Sequence, residues 1–103
     1  MARVQQVVID QVGAGTTTLL AAQGADWQID VINYVVVMSA EGTFAFSDGT
    51  DWLSGDMPVA INGGVSAAAG SLLEPLMQGG KGRPFSITTT GGSAHGHALV
   101  RIQ

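Results

Sequence analysis

Fifteen glycines punctuate this chain, at positions 13, 15, 24, 42, 49, 55, 63, 64, 70, 79, 80, 82, 91, 92 and 96, and they leave only short segments between them. Turn signals at such close intervals, separated by runs rich in Val, Ile, Thr and Phe, specify a sandwich or barrel of short strands. The segments 3–10, 17–22, 27–39, 43–47, 57–62, 72–77, 84–90 and 97–102 read as strands. About eight antiparallel strands within about 100 residues fit an all-β, jelly-roll-like sandwich. The competing helical reading is best over 65–77, where Ala67, Ala68 and Ala69 favour a helix, but Gly70 and Pro75 interrupt it and leave room for one helical turn. With 103 residues the chain has room for one domain, 1–103, in which residues 1–6 read as an extended N-terminal arm.

The first glycine pair raises the question of a phosphate-binding loop. "VVIDQVGAGTTTLL" begins as an apolar strand followed by Gly13-Ala14-Gly15, but the third glycine of the dinucleotide fingerprint is replaced by Thr18. The β-branched run Thr16-Thr17-Thr18 continues as a strand rather than a helix, so a hairpin turn is the expected structure.

Charge narrows the possible partners. Charged residues are only 12 % of the chain and hydrophobic ones 46 %, too little charge to coat the surface in the ordinary way, so a partner is expected to cover part of it. A formal charge of −4 argues against a nucleic-acid backbone as ligand. There is no cysteine to form a disulfide or a thiolate metal site. No signal-peptide pattern opens the sequence and no apolar run approaches the length of a membrane span, so the reading is of a soluble protein that is not exported.

The long strand 27–39 is the most informative. Strict alternation puts Trp27, Ile29, Val31, Asn33, Val35 and Val37 on one face, and Gln28, Asp30, Ile32, Tyr34, Val36 and Met38 on the other. The second face starts polar and turns apolar, so Ile32, Tyr34, Val36 and Met38 are expected to be covered, either by a second subunit or by the 67–77 segment of the same chain.

Groups that carry chemistry are sparse. No Gly-x-Ser-x-Gly elbow is present, and the only histidines, His95 and His97, lie in a glycine-rich strand start. No catalysis and no cofactor are expected. Asp48, Asp51 and Asp56 in "SDGTDWLSGD" lack the spacing of a calcium loop and read first as turn residues. His95 and His97, two apart on a strand, project to one side; only a three-fold axis would gather enough imidazoles for a metal, and two partly exposed histidines are the plainer reading. Trp52 is a candidate ligand platform, whereas Phe44 and Phe46 share a face and are expected in the core.

A resemblance adds to this reading. The elements Thr16–Leu20, "I-x-V-x-x-Y" over Ile29–Tyr34, "F-x-D-G-T" over Phe46–Thr50, "L-S-G" over Leu53–Gly55 and the turn Gly63-Gly64 resemble small jelly-roll capsid decoration (cement) proteins of tailed bacteriophages, across about the central half of the chain. The resemblance implies a structural virion protein that is made in the host cytoplasm. It would trimerise on the outer capsid surface and stabilise contacts between major capsid proteins. Ile32, Tyr34, Val36 and Met38 would then form the subunit interface. Arg3, Gln5, Lys81 and Arg83 are the candidates for contact with the shell. A tail-fibre or receptor-binding tip that recognises host glycans is the alternative, with Trp52, Asp48, Asp51 and Asp56 as its cluster.

Overall fold

The structure is a computed structural model that describes residues 3–69 and 75–103. Nine strands alternate with glycine-bearing turns among these residues: β1 (Arg3–Gln11), β2 (Gly15–Leu20), β3 (Ile29–Met38), β4 (Gly42–Ser47), β5 (Met57–Val59), β6 (Gly64–Ala68), β7 (Met77–Gln78), β8 (Phe85–Thr90) and β9 (Ala94–Ile102). They form two antiparallel sheets. Sheet A runs β1-β9-β3-β6, with β7 also paired to β3, and sheet B runs β2-β8-β4-β5. With the two-residue β7 set aside, these orders are first-eighth-third-sixth and second-seventh-fourth-fifth, which is the jelly-roll arrangement.

Alternation explains how the two sheets close on one core. Val7 and Ile9 of β1, Phe44 and Phe46 of β4, Phe85 and Ile87 of β8, and Ala98, Val100 and Ile102 of β9 all point inward and are almost wholly buried. Tyr34 meets Phe46 edge-on at 5.1 Å between ring centres, Phe44 meets Phe46 at 5.6 Å, and Phe46 stacks on Phe85 at 5.3 Å. Each such pair contributes about 0.5–1.5 kcal/mol beyond its area burial. The core expectation for Phe44 and Phe46 is met, since both are fully buried.

Several local expectations change. Gly13-Ala14-Gly15 does not close a hairpin: β1 lies in sheet A and β2 in sheet B, so this turn carries the chain from one sheet to the other. Gly13 adopts φ +72°, its N–H donates to Ser93 Oγ at 2.8 Å, and its carbonyl accepts from Thr89 Oγ1 at 3.1 Å. The residues from Gly64 to Ala68 are a strand paired with β3, not a helical turn, because that edge of β3 gives their backbone a ladder to join. Of the expected strand 72–77, residues 72–74 lie outside the described residues, and Met77 begins β7. The last strand begins at Ala94, three residues before the expected start. Arg3 to Gln6 are not a free arm; they pair with β9 from Ile102 back to Leu99. Met1 and Ala2 lie outside the described residues.

Candidate functional site

The long strand β3 carries a bulge that decides which residues face out. Its register against β9 shifts between Val31 and Asn33, so Ile32 has no partner on β9; its carbonyl accepts instead from the Ala69 N–H at 2.9 Å. One extra residue reverses the sidedness of everything after it. Ile29 and Val31 point inward before the bulge, and Tyr34, Val36 and Met38 point inward after it. The subunit interface expected at Ile32, Tyr34, Val36 and Met38 is therefore corrected. These side chains are 4 %, 7 %, 0 % and 0 % exposed, and the last three are packed into the chain's own core. The Tyr34 hydroxyl donates to Met57 Sδ at 3.3 Å, and burial pushes the phenol pKa up. From Tyr34 onward the pattern is one apolar face shifted in phase, whereas Asp30 and Ile32 are buried outside the core cluster.

The side chains that the bulge turns outward are Asn33, Val35 and Val37. Pairing sets them in rows across the outer face of sheet A: Asp10, His95 and Val37; Val8, His97, Val35 and Ser66; Gln6, Leu99, Asn33 and Ala68. Val4, Val8, Val35 and Val37 are 45 %, 69 %, 37 % and 42 % exposed. A shallow concavity of about 430 Å³ opens on this side, lined by Asn33, Val35, Ser66, Ala68 and His97 among others. The valines and half-buried Leu99 are interleaved with His95, His97, Asn33 and Gln6, and exposed apolar side chains gathered on one face mark contact with another molecule. His95 and His97 stand in the middle of it, as the i, i+2 spacing required. His95 Nδ1 lies 3.1 Å from Asp10 Oδ1, and no group of three or more metal-ligating side chains forms among the described residues. Between the histidines, Gly96 adopts φ +148°, and a Cβ there would collide with the Val35 carbonyl, so β9 approaches β3 as closely as it does only because this residue has no side chain.

At the end of the sandwich where β1 starts and β9 ends, buried charge replaces free charge. The Asp48 carboxylate accepts from the N–H groups of Thr50 (3.0 Å), Asp51 (2.7 Å) and Gly80 (3.0 Å) and from Arg83 Nη1 (3.2 Å). Burial alone would raise its pKa, but these four donors outweigh burial and lower it to about 2. Asp48 is thus a clamp between the 48–51 turn and the 79–83 loop, with its oxygens already occupied. Arg83 also bridges to Asp51 at 2.8 Å, so it is tied to two carboxylates and is a poorer candidate for shell contact than expected. Gln5 is half-buried on the side of β1 that carries Val7. Arg3, hydrogen-bonded to Gln23 Oε1 at 2.7 Å, and Lys81 remain exposed. Asp30 is fully buried and is bonded by Gln28 (2.8 Å), Arg101 (3.1 Å) and Gln103 (2.8 Å), an internal network that sequence reasoning missed because its members lie at opposite ends of the chain. Trp52, by contrast, is 63 % exposed.

No protein-family model matches the sequence, and no curated protein matches it. Solved structures of similar fold include the Bacillus endospore appendages, described as a family of disulfide-linked pili (TM-score 0.52, 14 % identity, 99 % of this chain and 86 % of that chain). The C-terminal CBM6 of LamC, a marine laminarinase from Zobellia galactanivorans, is similar over 98 % of this chain and 99 % of its own (TM-score 0.50, 14 % identity). The Tobacco streak virus coat protein matches over 99 % of this chain and 85 % of its own (TM-score 0.48, 14 % identity). At such identities the shared property is the antiparallel β-sandwich fold.

Proposed function

We propose that this chain is a non-catalytic structural protein of a virion, a jelly-roll capsid decoration protein that trimerises on the outer shell and strengthens contacts between major capsid proteins. The observation that carries the reading is the uncovered apolar outer face of sheet A, where Val4, Val8, Val35 and Val37 stay exposed beside Leu99 in a chain with little charge elsewhere. Burial stabilises such a face, and around a three-fold axis it would be covered by a different patch of the neighbouring subunit, because a ring of three is closed by heterologous contacts. The sequence resemblance to decoration proteins supplies the setting, and the fold agrees with it. Arg3 and Lys81, exposed cations at one end of the sandwich, are the residues left to meet an acidic shell surface.

The mechanism is thermodynamic. A trimer with affinity for the assembled shell and little for dispersed subunits stabilises the shell by mass action, and by more as its free concentration rises above its Kd. Native mass spectrometry of the purified protein, followed by melting of shells with and without it, tests both halves. A trimer that raises the shell melting temperature in a concentration-dependent way is the expected result. A monomer that neither binds shells nor shifts their melting would overturn the proposal. Zinc added to the same sample tests His95 and His97: excess mass on a trimer alone would reveal a site on the three-fold axis.

A further inference from the structure

We propose that the face opposite the apolar one carries a binding site for a neutral sugar, built on Trp52. The backbone explains why this indole stands in water. Ser47 of β4 points outward from sheet B, because its neighbour Phe46 is in the core, and Trp52 forms an antiparallel bridge with Ser47. Bridge partners point to the same side of a sheet, so Trp52 also points outward, while the next residue, Leu53, packs on the core. The position is held rigidly. Leu53 N–H donates to the Phe46 carbonyl at 2.8 Å, Phe46 N–H donates to Ser54 Oγ at 2.9 Å, and the Asp48 clamp fixes the turn before Trp52.

What surrounds the indole argues for a sugar rather than for a second protein surface. On one side a concavity of about 220 Å³ is lined by Thr16, Ser47, Thr50, Asp51 and Thr88, and on the other side Ser54, Gly55 and Asp56 line a second one. Apart from the indole, these walls carry hydroxyls, carboxylates and backbone. A protein anchor would need an apolar pocket, whereas a pyranose offers an apolar C–H face to stack on an aromatic ring and a rim of hydroxyls to meet polar groups. Thr16 and Thr88 bond to each other through their hydroxyls at 2.8 Å, and each keeps further donor or acceptor capacity. The charge present selects the ligand class: Asp51 and Asp56 face the site, and the nearby cation, Arg83, is bonded to Asp48 and Asp51. Sialic and uronic acids would meet the Asp56 carboxylate and an arginine already committed to two carboxylates, whereas neutral hexoses carry no charge to be repelled. Because sheets A and B present opposite faces, a sugar can occupy this site whether or not the valine face is covered.

The test is a titration of the ¹⁵N-labelled protein, followed by NMR, with maltohexaose, cellohexaose and N-acetyllactosamine as neutral probes and 3′-sialyllactose as the acidic one. A shallow single site is expected to bind with a Kd of about 1 mM, so probes at roughly 20 mM suffice. Expected are shifts of the Trp52 indole N–H and of the Thr16 and Thr88 amides with at least one neutral probe, and a weaker response to sialyllactose. Trp52→Ala, at an exposed position, should fold normally and bind roughly tenfold or more weakly. Thr88→Val keeps the shape, removes one hydroxyl and should weaken binding several-fold. No shift with any neutral probe, or undiminished binding by Trp52→Ala, would overturn the proposal. Stronger binding of sialyllactose than of the neutral probes would overturn the ligand class.

Discussion

The bulge at Ile32 makes neighbouring residues of β3 behave in opposite ways, and aspartate placed at 36 and at 37 tests this directly. Val36 is fully buried and packs in the core. Val36→Asp forfeits about 1.5–3 kcal/mol of side-chain burial, and burying a carboxylate without a partner costs several kcal/mol more. Together these approach the whole stability of a small domain, about 5–15 kcal/mol, so the variant should be unfolded. Val37 is 42 % exposed, so about half of that burial is at stake. Adding about 1 kcal/mol for the poor strand propensity of aspartate gives about 1–2 kcal/mol, a melting temperature lower by about 5–15 °C and a folded chain. Assembly is another matter. If Val37 is buried between subunits, each aspartate loses about 1 kcal/mol of apolar burial and adds the cost of a desolvated charge. Every 1.4 kcal/mol is tenfold in affinity, so the trimer should weaken by about a hundredfold or more. Circular dichroism melting separates the two variants and native mass spectrometry reads the assembly. A folded Val36→Asp beside an unfolded Val37→Asp would refute the phase change at Ile32. An intact trimer in Val37→Asp would remove the outer face of sheet A from the interface.

Three further substitutions test the parts that hold these surfaces in place. Asp48→Asn should destabilise the protein by about 2 kcal/mol at neutral pH, because a carboxyl pKa lowered from 3.8 to about 2 is worth roughly that much. The lowered pKa means that the contribution is full above the ordinary carboxylate range and is lost as pH falls from about 4 through about 2, so urea unfolding of the two proteins should converge near pH 2. Gly96→Ala should fold poorly or not at all, because its Cβ meets the Val35 carbonyl, whereas Gly13→Ala, with φ +72° and open space around it, should lose only about 1 kcal/mol; soluble yield and thermal melting distinguish them.

The glycines and β-branched runs made most of the fold legible, since both are local signals. The long strand and the core positions of Phe44 and Phe46 follow from alternation around turns. What could not be read depends on partners distant in the chain. The segment Val65-Ser66-Ala67-Ala68 has helix-friendly composition, and it is a strand because the edge of β3 offers it a ladder. Asp48 looked like one of three loop acids. Its donors Gly80 and Arg83 arrive from a loop 32 and 35 residues away, so its role as a clamp has no local signature. The bulge at Ile32 is the instructive case. No glycine marks it, and its only trace is an apolar pattern that changes face partway along β3, which strict alternation renders as a second face covered by another subunit or by the 67–77 segment. Tyr34 and Val36 are buried in the core, and Val35 and Val37 are the exposed apolar side chains of this part of β3.

Sparse charge has a different meaning on the two faces of the sandwich. Part of the charge is paired within the chain: Asp30 with Arg101 in the interior, and Asp48 and the exposed Asp51 with Arg83. The outer faces of the two sheets carry few charges, chiefly Asp10 on sheet A and Asp51 and Asp56 beside Trp52 on the other side, and they are not alike. Sheet B presents Thr16, Thr18, Thr43, Thr88 and Thr90, with Thr43 and Thr90 hydrogen-bonded through their hydroxyls at 2.6 Å, and a hydroxylated surface is wetted by water without any charge. Sheet A presents exposed valines, which are not, interleaved with Asp10, His95 and His97. A low fraction of charged residues in the whole chain implies a covered surface only where hydroxyls do not replace the missing charges. By that criterion the valine-bearing face is the one proposed to meet a partner, and the hydroxylated face is the one proposed to meet a small polar ligand.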